Sequence, residues 1–155
     1  MKRISLSVLL AFCWLSFSTG CLNKTSATLM PGSDLTKIKS FYIVQREDDN
    51  DKGSTHSLIK ENLEKRGYSV VGTGLQNKLP YNSDAVIVYD DKWMWDITMY
   101  MLALTINIKD PSNGAPIATA SSVHGSLTRK APNEMVDEVL ENILNAKPDI
   151  NKVIY

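Results

Sequence analysis

Residues 98–109 read TMYMLALTINIK. Tyr100, Leu102, Leu104, Ile106 and Ile108 share one parity, and Met99, Met101, Ala103, Thr105 and Asn107 share the other. Successive side chains of an extended chain point to opposite faces, so this alternation predicts a long, half-buried strand with the first set against a core. The residues that follow, DPSNGAP (110–116), contain Asn113-Gly114, a pair able to take the positive φ values that a hairpin needs. Ile117–Val123 then returns as an antiparallel strand of small residues. This hairpin decides the fold class, because a strand with one apolar face must be covered by another layer.

Working outward, Phe41–Val44 and Ala85–Tyr89 are short apolar runs of the kind that fill the middle of a sheet. Between them STHSLIKENLEKRGY (54–68) predicts a helix. Ser54 or Thr55 can cap its start, Leu58, Ile59 and Leu63 form its apolar stripe, and Gly67 stops it. Tyr68–Val71 reads as another short strand, and GTGLQNKLPYNS (72–83) as a connection without regular structure. Near the end, Pro132 opens a second helix with Val136, Val139, Leu140, Ile143 and Leu144 on one face, closed by Pro148. The order is β-α-β-β-β-α. The expected architecture is an α/β two-layer sandwich, a mixed five-stranded sheet with both helices on one face. If the first two strands are parallel neighbours, their crossover is right-handed.

The amino terminus belongs to a different class of segment. MKRISLSVLLAFCWLSFSTGC (1–21) has basic Lys2 and Arg3, an apolar stretch from Ile4 to Phe17, and then small residues before Cys21. That is the layout of a secretory signal, and it is shorter than the roughly 20 apolar residues that span a bilayer. Residues 1–20 are read as signal, 21–36 as a flexible tether rich in Ser, Thr, Gly and Pro, and 37–155 as one domain. The other cysteine, Cys13, lies inside the signal, which leaves no thiol for a disulfide, a metal site or a nucleophile.

Charge is balanced, with 17 basic and 17 acidic residues, so no global field recruits nucleic acid. The two histidines, His56 and His124, are far apart in sequence and read as structural or surface residues. EDDNDKG (47–53) places Lys52 and Ile59 where a calcium loop needs oxygen ligands, so it reads as a solvent loop. GTGLQN (72–77) lacks the third glycine of a dinucleotide fingerprint. No cofactor or metal is expected.

What remains is YDDKWMWDITMYM (89–101). Trp93 and Trp95 share the parity of Tyr89, and Met99 and Met101 fall on the outward parity of the next strand. Paired strands would join all four as an apolar contact surface, since aromatic and methionine side chains are enriched where proteins meet partners. Two rival readings stand beside this one. The bend can fold over and make the indoles core. Alternatively, Asp90, Asp91 and Asp96 beside aromatic platforms can form a cell-wall glycan-binding or hydrolytic module.

Ser18-Thr19-Gly20-Cys21 resembles the signal of bacterial lipoproteins, with Ser18 where an aliphatic residue is usual. The resemblance implies acylation of Cys21 and membrane attachment. Leu22 in place of aspartate implies the periplasmic side of the outer membrane. The segment Tyr89, Asp91, Trp93, Trp95 and Asp96, followed by Asp110, Pro111, Gly114 and Ala118, is similar to a family of small Gram-negative envelope lipoproteins. More distantly, the element order is similar to the amino-terminal domain of the translocation protein TolB. The resemblance implies a non-enzymatic accessory or scaffold with an envelope protein partner, and brings no catalytic residues.

Overall fold

A computed structural model describes residues 23–46, 55–75 and 81–147. The elements are β1 (Lys24–Leu29), β2 (Ser40–Gln45), α1 (Thr55–Lys65), β3 (Ser69–Leu75), β4 (Ala85–Trp95), β5 (Met99–Lys109), β6 (Pro116–Val123) and α2 (Pro132–Leu144). They build one mixed sheet in the order β1-β6-β5-β4-β2-β3. β2 runs parallel to both β3 and β4, and the remaining pairs are antiparallel. Both helices cover one face, α1 over β2 and β3 and α2 over β1, β5 and β6, and they touch each other. This is the expected two-layer α/β sandwich, with one strand more than expected.

The core lies between the layers. Phe41, Ile43, Ile87, Leu104, Ile106 and Ile108 from the sheet meet Ile59 and Leu63 of α1 and Val136, Val139, Leu140 and Ile143 of α2. The helix signals act as their chemistry predicts. Gly67 takes φ 84°, Tyr68 N–H donates to the Leu63 carbonyl and Gly67 N–H to the Glu64 carbonyl, which closes α1. Glu134 in the first turn of α2 accepts from the Ala131 backbone N–H at 2.9 Å. Ser54 lies outside the described residues. The Thr55 hydroxyl donates to Asp91.

The sixth strand corrects the tether. Lys24–Leu29 pairs antiparallel with β6 along its whole length, Lys24 opposite Val123 and Leu29 opposite Ala118. An edge strand earns little side-chain burial, and here only Leu29 reaches the core. Its backbone bonds and the Ser26–Ser121 hydroxyl contact at 2.8 Å hold it, and neither leaves a hydrophobic period to read.

β3 is longer than expected for a different reason. Gly72 and Gly74 lie in the strand beneath the Tyr42 ring. A Cβ at Gly72 would stand 2.9 Å from Tyr42 Cε2, and one at Gly74 2.5 Å from Tyr42 Oη. Tyr42 also stacks against Tyr81 at 4.5 Å between centroids. The glycines that began a failed nucleotide fingerprint are a seat for an aromatic ring.

β4 likewise runs past Tyr89 to Trp95, and its pairing with β5 contains a bulge. Lys92 faces Ala103 but Trp93 faces Met101, which leaves Leu102 without an opposite residue. Beyond that point the parity of β5 inverts. Met101, expected outward, is fully buried beside Leu104, while Tyr100 and Leu102, expected inward, are only half-buried. The Leu102 carbonyl accepts from His124 N–H at 2.9 Å, which fixes the bulge against the end of β6.

Candidate functional site

The end of the β4–β5 hairpin is held from below and exposed above. At its base Asp91, its side chain only 13% exposed, is a junction of three elements. One oxygen accepts from Arg46 at the end of β2 at 3.2 Å. The other accepts from the Thr55 hydroxyl of α1 and from the Trp93 indole N–H at 2.9 Å. Arg46 reaches neighbouring Asp90 as well, at 2.9 Å. Both oxygens of Asp91 are therefore engaged in structure, and Asp90 is ion-paired. Among the described residues, the partners of both carboxylates are structural.

Above this base the bend Asp96–Thr98 is tied sideways to the loop after β6. Arg129 donates to the Thr98 hydroxyl at 2.9 Å and to the Ser126 carbonyl at 3.0 Å. Its guanidinium lies 3.7 Å from the Asp96 carboxylate and 4.9 Å from the centroid of the Tyr100 ring. In the same loop Thr128 donates its hydroxyl to the Asn23 side chain. The starts of β1 and β5 and the ends of β4 and β6 thus form one end of the molecule. Apolar side chains cluster there in solvent: Trp95 is 72% exposed, Ile97 84% and Leu127 92%, with Met94 and Met99 also exposed.

The four residues expected as a contact surface share one face but divide along the hairpin. Trp95 and Met99 are opposite one another and exposed. Trp93 is half-buried against the core, and Met101 is core. The reading that the indoles fold inward holds for Trp93 alone. Arg129, Ile97 and Leu127 complete the surface and were not legible beforehand. No local pattern marks a loop arginine that bridges to a hairpin 31 residues earlier.

A second polar cluster sits under α2. His124, expected as a satisfied histidine, is 5% exposed, shares a contact of 2.8 Å between Nε2 and Glu138, and leaves Nδ1 buried without a partner. Ser122 donates to the same Glu138 oxygen at 2.9 Å, and Lys130 lies 3.3 Å from the other. Burial pushes the Glu138 carboxyl up, and the bonds from His124, Ser122 and Lys130 outweigh it, holding the group below its ordinary 4.5. A depressed carboxyl stabilises the fold above its unfolded value and loses that contribution as pH falls through the folded one. Glu138→Gln should therefore cost about 1–3 kcal/mol at neutral pH. In chemical denaturation the gap from wild type should close below pH 4.5. A gap that stays constant down through that range would show that the charge of Glu138 is not what holds this corner.

A groove of about 570 Å³ between the helices is lined by Glu61, Lys65, Lys130, Asn133 and Asp137 among other polar residues, with neither tryptophan in its wall. Among the described residues no group of His, Cys, Asp and Glu is arranged to hold a metal ion, and the 47–53 loop lies outside them. No described helix is long and apolar enough to cross a membrane.

No family model and no curated protein matches the chain by sequence. Among solved structures, the PelC dodecamer from Paraburkholderia phytofirmans matches at TM-score 0.57 and 15% identity, covering 81% of this chain and 100% of that one. A substituted form of the same dodecamer in another space group matches at TM-score 0.55 and 15% identity, covering 81% and 99%. A PDZ domain protein from Parabacteroides distasonis gives TM-score 0.49 at 15% identity, over 82% of this chain and 36% of that one. The chain has a fold similar to that of PelC, a protein whose copies stand together as a dodecamer.

Proposed function

We propose that this chain is a lipid-anchored accessory protein of the Gram-negative envelope, attached through acylated Cys21 on the periplasmic side of the outer membrane. It works by contact and not by chemistry. The observation that carries this reading is the division of labour at the hairpin. The acidic residues beside the tryptophans are occupied by structural partners, while Trp95 and Met99 stand in solvent. Aromatic and methionine side chains are enriched at contact surfaces, and exposed apolar patches mark interaction sites. The signal layout supports the anchor, and Leu22 after the cysteine supports the outer membrane. Similarity of fold to a dodecamer supports assembly of several copies, for which β1 and β3, the edge strands among the described residues, offer backbone donors and acceptors.

Mass spectrometry of the full chain expressed in a Gram-negative host tests the anchor. The mature protein should begin at Cys21 and carry the mass of its acyl chains, and native mass spectrometry from detergent should show a multimer. An unmodified Cys21 or an intact Met1 would remove the anchor, and a strict monomer would remove the assembly.

A further inference from the structure

The point where lipid would attach and the exposed apolar cluster occupy the same end of the fold. Asn23, the first described residue, bonds to Thr128, whose loop neighbour Leu127 is 92% exposed. Arg129 of that loop grips the hairpin bend through Thr98, and the bend carries Trp95, Ile97 and Met99. Cys21 is two residues before Asn23, and two residues span at most about 7 Å. Acyl chains on Cys21 therefore enter the membrane next to this cluster and cannot hold it far from the bilayer.

We infer that the apolar end formed by Trp95, Ile97, Met99 and Leu127 rests in the membrane interface, so that the protein is held by its acyl chains and by its own hairpin. This deepens the contact reading proposed above and rests on the acylated Cys21.

The chemistry of the cluster suits a lipid surface. An indole prefers the headgroup level, where its ring is in apolar surroundings and its N–H stays wet. Trp95 is so placed at the last position of β4, whereas the N–H of Trp93 is already given to Asp91. The acids nearest the end are ion-paired, Asp96 with Arg129 and Asp90 with Arg46, which lowers the penalty of bringing them close to a bilayer. Lys24, exposed at the start of β1, stands beside Asn23 where it can meet an anionic headgroup. A protein partner would need no such coincidence of the cluster with the anchor. The tether expected over 21–36 would have allowed the domain to stand off the membrane. Pairing of β1 from Lys24 onward removes that freedom.

The test uses the full-length, acylated protein reconstituted in vesicles of phosphatidylethanolamine and phosphatidylglycerol, with and without bromine near the top of the acyl chains. In the processed chain Trp93 and Trp95 are the only indoles. Brominated lipid should remove about half of the tryptophan emission, the share of one interfacial indole of two. The Trp95→Phe variant should lose little, and Trp93→Phe, which isolates Trp95, should lose most of what remains. Wild-type emission quenched no more than that of Trp95→Phe, with Cys21 acylated by mass, would overturn the inference and leave the anchor standing. Emission shifted to the blue but untouched by bromine would also overturn it, by showing that a second copy covers the cluster. A Cys21 without lipid would bring down the anchor and the inference together.

Discussion

Replacing Met101 by alanine is expected to lower the free energy of unfolding by about 3 kcal/mol, within the usual range for emptying a buried methionine site. The same replacement at Met99, two residues earlier and on the same face, should fall within about 0.5 kcal/mol of wild type. The difference measures where the helical layer ends. Met101 is fully buried opposite Trp93, whereas Met99 pairs with exposed Trp95 beyond it. The measurement is a pair of denaturant titrations with equal slopes. Equal losses at the two positions would mean that the covering layer reaches past Met101 to Met99, and the surface assigned to Trp95 would then need redrawing.

Removing the Asp91 side chain should do comparable damage by an electrostatic route. Asp91→Ala takes away the acceptor of the Thr55 hydroxyl, of the Trp93 indole N–H and of one Arg46 contact in a place that is mostly out of water. Deleting one partner of such a set strands the others, and a loss of about 3 kcal/mol is expected. Asp90→Ala removes an ion pair from a side chain that is 81% exposed, and should cost no more than about 1 kcal/mol. If instead Asp91 could be removed without loss of stability while a sugar-binding or sugar-cleaving activity vanished, the glycan reading would replace the contact reading.

The two experiments address one arrangement. Asp91 ties β2, α1 and the hairpin together, and Met101 seals the core just above. Above both, the apolar residues stand exposed among the described residues, and the bend is kept in place by Arg129 from another loop. A rigid base under an exposed apolar end suits a surface that must keep its shape while it meets something outside the chain.

Residues 98–123 determined the fold class by themselves. The alternation in β5, the turn at Gly114 with φ 74° and the apolar stripes of α1 and α2 are local or periodic features, and periodicity survives in the sequence because it reports which face is dry. The features from which a signal ahead of Cys21 is proposed are equally local. Three matters were decided only by tertiary structure. β1 is a strand because β6 offers it backbone partners, and backbone bonds carry no side-chain signature. Gly72 and Gly74 belong to β3 because Tyr42 lies across them. Met101 turned inward because one unpaired residue, Leu102, inverted the parity of β5, and Trp95 stayed outside because it lies past the end of the helical layer. A period of two specifies that neighbours point opposite ways, but not where the count slips by one. That depends on which strand lies alongside and on what covers it.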